Sequence, residues 1–175
     1  MKKIMSTVAV LLLAATAFAA PKSASAYYSD AAFQYIENRL PSAEITCNEG
    51  LQYYPNDQKL QMLLDRIHEA KDEQKNENKK NDKNQDNNQD QNNDQKQPPL
   101  SDKAKEVLAR ALQLCKDGKY AEAKEMLENL IAEDETAGQL SGHVQRIDDV
   151  IEIKAGRKPK AKIDASNTDN DLEVI

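Results

Sequence analysis

The chain has 175 residues, 39% of them hydrophobic and 31% charged, with a formal net charge of −6 and no Trp. An acidic chain without a clustered basic stripe is a poor partner for nucleic-acid phosphates and is repelled by anionic membrane surfaces. With no Trp and two Phe, one of them in the amino-terminal apolar run, large aromatic binding pockets are not expected, and no cofactor is expected.

Lys2 and Lys3 open a positive region, an apolar run extends from Ile4 to Ala20, and Pro21-Lys22-Ser23-Ala24-Ser25-Ala26 follows. This is the three-part layout of a bacterial secretory signal peptide, with small residues last and third-last before the cut. Cleavage is expected after Ala26, with Ala17-Phe18-Ala19 as the second choice. The apolar run is short for a membrane span, which disfavours an uncleaved anchor. No Cys follows the run, so a lipid anchor is not expected either. Loss of residues 1–26 removes Lys2, Lys3 and Lys22 and moves the net charge from −6 to −9. The predicted setting is the periplasm or the exterior, without stable membrane insertion.

Residues 27–71 are expected to form an amino-terminal helical segment. Its first helix spans about Asp30 to Arg39, with Ser29 as cap and Phe33, Ile36 and Leu40 on one face. Pro41 restarts the chain into a second helix that reaches about Tyr53, with Ala43, Cys47, Gly50, Leu51 and Tyr54 on a face. Pro55 stops it, and Asn56 is suited to cap the third helix. In that helix Leu60, Leu63, Leu64 and Ile67 recur at spacings of three and four.

Residues 72–99 are predicted to be a disordered linker. The stretch 71–97 contains no apolar residue and consists almost wholly of Asn, Gln, Asp, Glu and Lys, so it cannot offset chain entropy by burial. Only its early part could prolong the third helix. As a coil its 27 residues would span about 30 Å.

Residues 100–154 are expected to form a second helical segment. Ser101 caps a fourth helix striped by Ala104, Val107, Leu108, Ala111, Leu114 and Cys115, and Gly118 suits its left-handed end. A fifth helix carries Tyr120, Ala123, Met126, Leu127, Leu130 and Ile131. Thr136 and Gln139 have capping-box spacing ahead of a sixth helix that turns Leu140, Val144, Ile147, Val150 and Ile151 inward. Residues 155–175 read as a charged tail. No strand pattern emerges, and the predicted fold class is all-α, about six helices in two three-helix halves.

"GKYAEA", residues 118–123, resembles the tetratricopeptide repeat, a stack of antiparallel helix pairs of about 34 residues. Gly118 fits the turn between paired helices, Tyr120 the aromatic after it and Ala123 the small contact residue, with Leu127 and Leu130 next. In the first half Ala43, Cys47, Gly50 and Pro55 fit the same second helix and closing proline. Val107, Arg110-Ala111 and Glu135 stand where the family has an aromatic, a Leu-Gly pair and a proline. The Asn/Gln/Asp/Lys tract is also similar to those of envelope tetratricopeptide proteins of bacterial aerotolerance operons. The resemblance implies a protein-binding face on the first helix of each pair. Here that face offers Gln34, Glu37, Asn38 and Arg39, with Lys103, Glu106, Arg110, Gln113 and Lys116.

Residues for chemistry are sparse. Cys47 and Cys115 are candidates for a disulfide worth ~4 kcal/mol in the entropic model; buried free thiols and an intermolecular link are the alternatives. His68 and His143 have no partner at zinc spacing. No Ser or Cys sits beside an identifiable base. Asp86-Asn87-Asn88-Gln89-Asp90 opens like a calcium loop, but Gln91 and Gln97 replace its Gly and Glu, which argues against a specific calcium site. The expectation is therefore a non-enzymatic, exported adaptor for another protein. The alternative is a small secreted structural or cation-associated helical protein whose acidic tract is the active part.

Overall fold

The computed structural model describes residues 21–83 and 98–159. The charged amino terminus and its apolar run, the calcium-loop pattern from Asp86 and the tail beyond Pro159 lie outside the described residues. Among those described there are six α-helices and no strand: α1 (Ala24–Ile36), α2 (Leu40–Tyr53), α3 (Gln58–Lys83), α4 (Asp102–Lys116), α5 (Tyr120–Glu133) and α6 (Ser141–Lys154), with a 3₁₀ turn at Glu135–Leu140 before α6. No described helix is long and apolar enough to cross a membrane.

The first helix begins earlier than its sequence pattern suggests. Ser23, not Ser29, is the cap, and its hydroxyl accepts from the Ala26 amide at 3.2 Å. The buried face is accordingly built from Tyr27, Tyr28, Ala31, Ala32, Tyr35 and Ile36, while Phe33 is half-buried. Asp57, rather than Asn56, caps α3 by accepting from the Leu60 amide at 2.9 Å. α3 also runs through Lys83, so the backbone of residues 72–83, expected in the linker, is helical. Lys, Glu and Gln are good helix formers, and a helix already nucleated on Leu60, Leu63 and Ile67 extends at little cost. Before α6, Thr136 and Gln139 do not form a capping box. Asp134 accepts from the Thr136 amide at 2.9 Å and Gln139 donates to the Thr136 carbonyl, which stabilises the 3₁₀ turn.

The two halves repeat at the level of backbone. α2 and α5 have equal length and lie 80 positions apart. The turns before them match bond for bond. Asn38 (φ 61°) and Gly118 (φ 76°) take the left-handed conformation, and the amides of Arg39 and Lys119 close onto Gln34 and Leu114. Gly156 (φ 76°) ends α6 in the same way, with the Arg157 amide on Glu152. This helix-ending turn satisfies carbonyls that would otherwise lack donors. Ala43 and Ala123, both fully buried, sit where the second helix of each hairpin meets the first.

The halves share one apolar core. α6 packs against α1 and α3, and α1 also meets α4, so the second half closes onto the first through its last helix.

Candidate functional site

Where α6 meets α1 and α3, a polar cluster interrupts the apolar contact. Asp149, 1% exposed, stands on the buried face of α6 between Ile147 and Ile153. Its Oδ2 accepts from the Tyr35 hydroxyl at 2.6 Å and from Arg66 Nε at 2.8 Å; its Oδ1 accepts from Gln145 at 3.1 Å. One carboxylate thus ties α1, α3 and α6 together. Arg66, also buried, donates outward through Nη1 to Glu73 and Glu69. Arg146 donates to the carbonyl of Ile36, the last residue of α1, and Tyr28 donates to the carbonyl of Val150. A buried charge is tolerated only when paired and hydrogen-bonded, and this cluster meets that requirement.

The electrostatics follow from burial. Burial first, and the Asp149 carboxylate second, hold the Tyr35 hydroxyl well above its ordinary range. Burial works against the charge of Arg66, yet Tyr35 and Asp149 hold it more firmly protonated than usual. Arg146, with less compensation for its burial, is shifted down. His143, one turn before Ile147, is pushed down to about 4 by burial and by the Arg146 charge, with Glu37 opposing. Above the cluster lies a cleft of about 250 Å³ lined by Tyr35, Asn38, Arg66, Glu73, Gln145 and Arg146 among others.

The residues expected to form a partner-binding face lie in several places. Gln34 accepts from the Thr46 hydroxyl within the first hairpin, and Glu37 pairs with Arg39 at 2.5 Å. Asn38 accepts from Gln74 at the edge of the Arg66 cleft. Lys103 pairs with Glu133 across the outer side of α4 and α5. Glu106, Arg110 and Gln113 are exposed on α4, where Gln113 donates to Asp117, and the Lys116 ammonium stands 5.7 Å from the centre of the Phe33 ring. The Lys103 region is the edge of a groove of about 360 Å³ between α4 and α5, with Val107, Met126 and Leu130 on its floor and Glu122, Glu125 and Glu133 on its rim.

Cys47 and Cys115 are free, buried thiols. Both lie in the shared apolar core, and burial pushes both up to about 12, so they stay protonated, the reverse of an activated nucleophile. His68 meets Glu44 at 3.0 Å on the surface, where Lys71 also pairs with Glu44. Among the described residues no group of three or more His, Cys, Asp or Glu is arranged to hold a metal ion.

Tyr35, Arg66, Arg146 and Asp149 escape a reading based on apolar periodicity, because none is apolar enough to mark a core face. The available signal is positional: Asp149 falls two residues after Ile147 and four before Ile153, on the inward side of the helix.

Fold and seam together define a small all-helical protein of two hairpin-based halves joined by a buried ionic cluster. No family model, no curated protein and no solved structure matches this chain.

Proposed function

We propose that the chain is an exported, non-enzymatic adaptor that holds another protein on tetratricopeptide-like helical hairpins in the bacterial envelope. The observation that carries this reading is the repetition of one hairpin, with the same left-handed turn and the same alanine contact, in a single packed body. Repeated hairpins set side by side form open grooves, and such grooves take helices or extended peptides by apolar anchors framed with charge. The α4–α5 groove has that make-up: Val107, Met126 and Leu130 below, acidic side chains above. Burial holds both thiols protonated, so neither serves as an activated nucleophile.

The test places a photoreactive side chain at Glu125, on the groove rim, and separately at Asp65, on the exposed side of α3, in cells that export the protein. A discrete adduct from Glu125 and none from Asp65, unchanged by deletion of residues 84–97, supports an adaptor. Absence of any adduct from Glu125, or its loss with the deletion, refutes the reading and favours the acidic tract as the working part.

A further inference from the structure

Two alanine-x-alanine stretches lie towards the amino end of the chain, Ala17-Phe18-Ala19 and Ala24-Ser25-Ala26, and both satisfy the small-residue rule for a signal-peptide cut. The fold distinguishes them. Ser23 is extended (φ −65°, ψ 157°) and opens α1: its hydroxyl accepts from the Ala26 amide at 3.2 Å, and its carbonyl accepts from the amides of Ala26 and Tyr27. Lys22 is tied in on both sides. Its carbonyl accepts from the Tyr54 hydroxyl at 3.0 Å, beyond the end of α2, and its ammonium pairs with Asp30 at 2.6 Å. Ala24 packs against the core, and the next turn delivers Tyr27, 7% exposed, onto Tyr53 with ring centres 6.1 Å apart.

A cut after Ala26 removes Lys22, Ser23 and Ala24 and leaves Tyr27 as the first residue. The cap, the first turn of α1 and the acceptor for Tyr54 go together, and the new ammonium falls on Tyr27. A positive charge there opposes the helix dipole and must sit beside a nearly buried side chain. The cap is also local, needing only Ser23 and Ala26, so the Ala24–Ala26 stretch favours a helical turn over the extended form a peptidase grips.

We propose that the exporting peptidase cuts this chain between Ala19 and Ala20, so that Pro21, Lys22 and Ser23 remain as the built start of α1. The inference rests on the export reading above. Water adds to the Ala19 carbonyl carbon, the bond to the Ala20 nitrogen breaks, and that nitrogen takes the proton. The peptide 1–19 leaves with a carboxylate, and the protein keeps an amino terminus at Ala20.

The chain is expressed with its own amino terminus in a bacterium, recovered from outside the inner membrane, and weighed intact. An amino terminus at Ala20 is expected. Any terminus beyond Ser23, such as Tyr27, overturns the inference while leaving export intact; the full-length chain free in the cytosol overturns export itself. The variant Ala19→Lys should stop processing and Ala26→Lys should leave it unchanged, and the opposite pattern would refute the assignment. As a folding measure, protein made to begin at Tyr27 should melt about 5 °C below protein that begins at Ala20. Equal melting temperatures would remove the structural ground for the proposal.

Discussion

The seam between the halves depends on Asp149, and Asp149→Ala isolates what it contributes. The substitution leaves two donors inside the protein without an acceptor, the Tyr35 hydroxyl and Arg66 Nε, which now sit at 2.6 and 2.8 Å from one carboxylate oxygen. Removing one partner of a buried ion pair costs roughly 3–5 kcal/mol, and a stranded hydroxyl about 1–3 kcal/mol. Arg66 keeps Glu73 at 3.2 Å and Glu69 at 3.4 Å, both partly exposed, so its charge is not wholly abandoned. The lower end of the range applies, a loss of about 3 kcal/mol against a total of roughly 5–15 kcal/mol for a domain. Urea unfolding at pH 7 measures it. Tyr35→Phe, which removes one neutral donor, should lose about 1 kcal/mol. Exchanging both charged partners, Arg66→Met with Asp149→Leu, should recover most of the loss because no charge is left stranded. A loss below about 1 kcal/mol for Asp149→Ala, or a double variant no better than the single one, would refute the view that this cluster joins the halves.

His143 should make the protein acid-sensitive. Its neutral form is favoured in the fold, since burial and Arg146 hold it at about 4 against an ordinary 6.5. Its contribution is therefore complete above pH 6.5 and is lost as pH falls through about 4, at most about 3 kcal/mol. In His143→Gln the urea midpoint should change less between those two pH values; an unchanged pH profile would count against the burial argument. Gly50 admits no side chain: an added Cβ would lie 2.9 Å from Leu60 Cδ1 and 2.9 Å from Tyr27 Cβ. Gly50→Ala should thus lose about 1 kcal/mol in urea titration despite the better helix propensity of Ala. At the paired turns, Gly118→Ala forces a side chain into the left-handed region and should cost about 1–2 kcal/mol, whereas Asn38→Gly should shift stability by no more than about 0.5 kcal/mol. Thermal melts of the two variants check the contrast.

The apolar spacings locate the bodies of α2 through α6 because core stripes survive in the structure: Leu60, Leu63 and Ile67 in α3, Ala123, Leu127 and Leu130 in α5. The start of α1 is obscured because Ser23, Ala24 and Ala26 satisfy two rules at once, the small-residue pattern of a cut site and the opening of a capped helix. The end of α3 is obscured for a different reason. Composition measures whether a stretch can bury surface, not whether a helix already anchored nearby will continue through it. The seam is least legible, since periodicity finds apolar faces and the decisive residues there are two ions and a phenol. The binding-face residues illustrate a related limit. Helix spacing gives their direction from one axis, but whether they share a groove depends on how six axes are arranged.

The weak sequence likeness of the halves, beside their close backbone likeness, has a packing explanation. In the first half the bulk lies on the first helix: α1 buries Tyr27, Tyr28 and Tyr35, while α2 buries Ala43, Cys47 and Gly50. Shifted by 80 positions, the same places hold Val107, Leu108 and Cys115 on α4 and Ala123, Leu127 and Leu130 on α5. Volume has moved from the first helix of the hairpin to the second. A core tolerates such exchanges when its total volume is preserved, so the hairpin geometry persists while nearly every paired residue differs. The parts that persist are small or conformational: the alanines at 24 and 104, 31 and 111, and 43 and 123, and the left-handed conformation at Asn38 and Gly118, where the chain turns back. Compensation of this kind also couples the sites. Enlarging Gly50 should be harmful because an added Cβ meets Tyr27, whereas the counterpart of Gly50 in the second half is Leu130 and that of Tyr27 is the smaller Val107.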